Sequence, residues 1–130
     1  MFIFIMALFL VLHGLVHLLY FGQSRRLFAL QPGMVWPDNS WIATSVAGDP
    51  TTRKVASLLC VLAAAGFVIG GIGMITAAVW WRPLVMSMTI FSSLIYLIFW
   101  DGTKQRLDNQ GGIGILINIA IGIALLIDRI

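Results

Sequence analysis

Four stretches of this chain contain no Asp, Glu, Lys or Arg: Met1–Phe21, Val55–Val79, Leu84–Trp100 and Gly111–Ile127. A hydrocarbon core of ~30 Å takes ~20 helical residues to cross, with about 17 as the lower limit. Each run meets that limit, the last two only just. Lipid offers the backbone no hydrogen-bond partners, so each run must pair its own amides and form a helix. The pattern predicts an all-α, four-transmembrane-helix bundle forming a single membrane domain over residues 1–130. The helices fall at about 2–21, 55–79, 84–100 and 111–127, and a long interfacial loop, 23–54, joins the first two. Composition points the same way. The chain has 130 residues, 60% of them apolar and 10% charged, with a mean hydropathy of +0.99. A soluble domain this small buries too little of its surface to hide that much apolar area. Met1–Phe21 has a competing reading as a cleaved leader, but no basic segment precedes the apolar run, and it is taken as a retained helix.

Start signals support the boundaries. Asp49-Pro50 offers a cap followed by proline at the first helical position. Pro83 plays that part for the third helix, and Asp108 or Asn109 for the fourth. Trp80-Trp81-Arg82-Pro83 reads as a tight hairpin with its indoles at headgroup level. Loop 23–54 carries Trp36 and Trp41 among Pro, Gly, Asp and Asn, so it is expected to lie along the interface and not to protrude as a domain. Loops of that length are often functional.

The formal net charge is +3, yet the basic residues sit in the breaks between runs and form no nucleic-acid-binding face. Anionic lipid headgroups are their natural partners. Arg25, Arg26, Arg53, Lys54, Lys104 and Arg106 fall on one side of the membrane, and only Arg82 and Arg129 on the other. The positive-inside rule then places the first and third loops in the cytoplasm and both termini outside. Cys60 is the sole cysteine, which excludes an internal disulfide and any CxxC pattern.

Against this background the segment LVLHGLVHLLYFG, Leu10–Gly22, stands out for His13 and His17. Residues four apart share a helix face. At 1.5 Å per residue, His17 lies about 6 Å below the end of its helix and His13 about 12 Å below it. The same rise puts Tyr96 and Cys60 near the level of His17, and Ser92, Ser93 and Asn118 near His13. Polar side chains in lipid turn inward, so His13, His17, Tyr96 and Asn118 form the candidate site. Gly14 leaves room for a neighbouring helix. Gly114, Asn118 and Gly122 make a small-residue groove, and Gly66–Gly70 is a GxxxG.

Several chemistries suit the histidines. Two neutral imidazoles hydrogen-bonded across helices are the plainest. A metal site on His13 and His17, completed by Cys60 or Asp101, uses a real chelating spacing, although no carboxylate lies inside any run. One histidine suffices for a five-coordinate haem or chlorin, and His, Tyr and Asn together suit a quinone. Cys60 with His17 is the one nucleophile–base pair, and a lone buried cysteine is usually inert packing.

HGLVH in the first helix, Trp100-Asp101-Gly102 ending the third and Asn118 in the fourth resemble a group of small four-helix bacterial membrane proteins, uncharacterised and similar in outline to DoxX-like proteins. The resemblance implies a four-helix bundle in a bacterial inner membrane and implies no reaction. The long Trp-containing first loop departs from the compact members of that group. The function expected is a non-catalytic membrane subunit, in a homo-oligomer or attached to other membrane protein subunits. The alternative is a binding protein for a hydrophobic cofactor (haem, chlorin, quinone) or a metal at His13 and His17.

Overall fold

The computed structural model describes residues 1–104 and 110–127. The expected caps Asp108 and Asn109, and the cations Arg106 and Arg129, lie outside the described residues. Among the described residues four helices follow in chain order: α1 (Phe2–Ser24), α2 (Ala43–Ile75), α3 (Trp81–Ile98) and α4 (Gly112–Ile127). Each packs on its neighbour in sequence, α1 on α2, α2 on α3, α3 on α4. Among the described residues, α1, α2 and α3 are long and apolar enough to cross a membrane, and α4 is a shorter apolar helix.

The helix ends differ from the sequence expectation for identifiable reasons. α1 continues past Phe21 to Ser24 and closes in a Schellman turn, with Leu27 N–H donating to the Gly22 carbonyl and Arg26 N–H to that of Gln23. Arg26 takes the left-handed conformation this turn requires, φ 59. α2 starts at Ala43, well before the expected Val55, because helical structure extends beyond the apolar run through Thr51–Lys54. It bends at Gly48, where φ is 76 and ψ 162, a conformation open to glycine and costly for other residues. Pro50 follows the bend at the start of the long straight segment, but the carboxylate of Asp49 is bonded to Asn39 N–H and the Thr44 hydroxyl and not to the first amides of that segment. α2 stops at Ile75, short of Val79, in a second Schellman turn built on Ala77 at φ 52. α3 begins at Trp81, which puts Pro83 in the first turn, where a missing N–H costs nothing.

The first loop is thereby reduced to residues 25–42, and it folds back over the end of the bundle. Trp36 is its plug, 1% exposed. Its ring stands edge-on to Tyr20 at 5.0 Å and to Phe99 at 6.2 Å. Gln23 clamps the loop from below, its Nε2 donating to the carbonyls of Met34 (3.0 Å) and Trp36 (3.3 Å) while Oε1 accepts from Leu30 N–H. Arg26 donates to the carbonyls of Gln23, Val35 and Trp36 and pairs with Asp38 at 2.6 Å. Ser40 and Trp41 tie the loop to α3 through the carbonyls of Ile98 and Leu97.

Two apolar clusters stack along the bundle. Trp36, Ala56, Cys60, Ala63, Ile95, Tyr96 and Phe99 fill the end under the loop. Ala7, Leu10, Phe67, Met74, Val85 and Ile121 fill the other. Helix approach depends on small residues: a side chain at Gly14 would press on Phe67 and the Ala64 carbonyl, one at Gly66 on Met88, and one at Gly70 on Val85. The GxxxG of Gly66 and Gly70 is thus a packing seam between α2 and α3 of the same chain.

Candidate functional site

Between the two apolar clusters lies a layer of buried polar side chains: His13, His17, Thr89, Ser92 and Asn118. It sits where the histidine turn of α1 meets the middle of α3 and α4, as the depth comparison required. His13 Nε2 lies 2.8 Å from Asn118 Oδ1. Asn118 Nδ2 is 2.9 Å from Ser92 Oγ and 3.2 Å from Ser93 Oγ. Ser92 Oγ is 2.7 Å from His17 Nε2, and His17 Nδ1 is 3.0 Å from the backbone carbonyl of His13.

The direction of each bond follows from the one group that cannot donate. A carbonyl only accepts, so His17 Nδ1 carries the hydrogen it gives to His13. A neutral His17 then presents a lone pair at Nε2, which accepts the Ser92 hydroxyl hydrogen. Ser92 oxygen in turn accepts from the Asn118 amide, and Asn118 Oδ1 accepts from His13, which carries its hydrogen on Nε2. The circuit closes on itself, His13 to Asn118 to Ser92 to His17 and back to His13, with a donor facing an acceptor at every step. Ser93 takes the second Asn118 hydrogen and passes its own to the Thr89 carbonyl at 2.8 Å.

Aromatic rings wall this layer. Phe67 stands edge-on to His13 at 4.8 Å and stacks against His17 at 5.6 Å. Tyr96 lies 5.7 Å from His17 and joins through its ring, continuing to Tyr20 at 5.0 Å. Gly111, at φ 93, lies against that ring, where any side chain would collide with it.

All four candidate residues therefore converge, and two pairings differ in detail from the depth argument. Ser92, matched by level to His13, bonds His17 directly and reaches His13 only through Asn118. Cys60, matched to His17, is buried in the apolar cluster with Tyr96, and both His17 nitrogens are committed elsewhere. Asp101 holds a local turn, its Oδ1 accepting from Thr103 N–H at 2.8 Å and from the Thr103 hydroxyl at 2.6 Å. Among the described residues no group of three His, Cys, Asp or Glu side chains is placed to hold a metal ion. Phe67 went unnoticed in the sequence, because an apolar residue in an apolar run carries no mark of its role.

The circuit has one open flank. Thr89, Ser93 and Asn118 floor a groove between α3 and α4 of about 290 Å³, walled by Met86, Ile90, Leu94, Ile119 and Gly122. The class defined so far is an all-α bundle, with helices fit for a membrane, organised around a buried His–Asn–Ser circuit. No family model, curated protein or solved structure matches the chain.

Proposed function

We propose that this chain is a non-catalytic integral membrane subunit that spans the bilayer four times, with the looped end of the bundle in the cytoplasm and its partners other membrane protein subunits or further copies of itself. One observation carries the reading. The two histidines, the groups of this layer best suited to chemistry, spend their bonds on each other, Asn118 and Ser92. Coordination through Nε2 of either ring displaces a bond of the circuit and needs space beside Phe67. An arrangement of this kind fixes which faces of α1, α3 and α4 meet, as interhelical polar bonds do in membranes.

Gentle extraction into lipid nanodiscs, followed by intact-assembly mass measurement, tests it. The expected mass is a multiple of the protomer or a fixed complex, colourless and free of stoichiometric metal. A monomer carrying a visible absorption band or bound metal, lost in the His13→Ala/His17→Ala double variant, overturns the reading.

The groove beside Asn118 and Ser93 favours a second reading, in which a quinone-like molecule approaches from the bilayer with its polar ring toward these two residues. A ligand extracted with the wild type and absent from Asn118→Leu would support it.

A further inference from the structure

A second constellation lies at the looped end, remote from the histidines. Ser24, Arg25, Arg26, Pro50, Arg53 and Lys54 line a depression of about 280 Å³ where the end of α1 meets the start of the straight segment of α2. Four cations converge there. Asp38 holds two of them in place, Arg26 at 2.6 Å and Arg53 at 3.3 Å, both on Oδ2. Among the described residues Asp49 is the other nearby carboxylate, tied to Asn39 N–H and the Thr44 hydroxyl. Two acids against four cations leave the depression positive. Arg25 and Lys54 have no acidic partner among the described residues.

The surroundings are amphiphilic. Lys54 lies one turn from Leu58, and Leu62 follows on the same face. Leu58 and Leu62 are 60% and 50% exposed. A cationic depression at a helix end above an open apolar stripe matches an anionic head joined to acyl chains, and a free anion has no use for the stripe. Basic pockets between membrane helices hold anionic headgroups in this way.

We propose that this depression binds the phosphate of an anionic phospholipid headgroup, with the acyl chains lying along the Leu58–Leu62 face of α2. The site depends on the membrane placement and not on the subunit reading, so the two fail separately.

The test is thermal unfolding of the full chain in an uncharged detergent, titrated with dioctanoyl phosphatidylglycerol, dioctanoyl phosphatidylcholine or inorganic phosphate. Phosphatidylglycerol is expected to raise Tm saturably, and the other two are not. Arg25→Gln/Lys54→Gln is expected to weaken the response about thirtyfold and Lys54→Gln alone about fivefold, the strength of juxtamembrane cations. Both side chains are outside the hydrogen bonds that hold the fold, so these variants should unfold near the wild-type Tm without lipid. Lys104→Gln should respond as wild type. Equal stabilisation by phosphatidylcholine, or an undiminished response in the double variant, overturns the proposal. An inorganic phosphate response as strong as that of the lipid reassigns the depression to free anions.

Discussion

Asn118 is the residue on which the polar layer turns, because it both receives from His13 and donates to Ser92 and Ser93. Polar bonds between membrane helices are worth ~0.6 kcal/mol on average, whereas stranding a buried donor costs about 1–3 kcal/mol. Asn118→Ala strands the His13 N–H, so the expected loss is about 1–3 kcal/mol, read by reversible unfolding in mixed micelles. A loss near the average value would mean His13 finds another acceptor and the circuit is not a unit. Thr52 presents the opposite case: its hydroxyl is buried without a hydrogen-bond partner. Thr52→Val is expected to leave stability unchanged or raise it by about 1 kcal/mol, measured in the same assay. The polar residues were legible at this scale because helical rise turns sequence number into depth, and few polar side chains share one depth. Their exact pairing was not legible. A rise of 1.5 Å per residue cannot separate a bond from Ser92 to His13 from one to His17, a single turn away.

At the scale of elements, each apolar run coincides with the body of a helix, the structure in which such a run pairs its own amides. The ends escaped because helices extend beyond the apolar run into polar sequence, as Thr51–Lys54 does. Ala77 closes α2 at φ 52, a conformation that costs an L-residue about 1–2 kcal/mol and glycine little. Ala77→Gly is therefore expected to stabilise the protein by about 1 kcal/mol, seen as a higher Tm. Loop 23–54 was the largest difference between sequence and structure. Its order comes from single contacts, Gln23 and Arg26 on scattered carbonyls and Trp36 on three rings, and such contacts leave no periodic trace. Removing the plug should loosen the whole segment. Trp36→Ala is expected to cost about 3–5 kcal/mol and to open residues 25–42 to protease while α2 and α3 stay protected.

For the whole molecule, the arrangement is a polar layer held between two apolar clusters, with α1 set close to α2 at Gly14. A side chain there meets Phe67 Cβ at 2.8 Å and the Ala64 carbonyl oxygen at 3.0 Å. Gly14→Val should push α1 from α2 and carry both histidines off their partners, costing more than the 1–3 kcal/mol typical of overpacking alone. The four apolar helices, the inward histidines and the Asn118 depth could be read from the chain. The closed direction of the circuit required coordinates, because it depends on which nitrogen faces which oxygen. That direction is also the feature most open to measurement. Solid-state nitrogen-15 NMR of the histidine-labelled protein in lipid bilayers at neutral pH reports the hydrogen on each ring atom. The circuit predicts two neutral rings of opposite tautomer, hydrogen on Nδ1 in His17 and on Nε2 in His13. A shared tautomer, or a charged ring at either position, would contradict it.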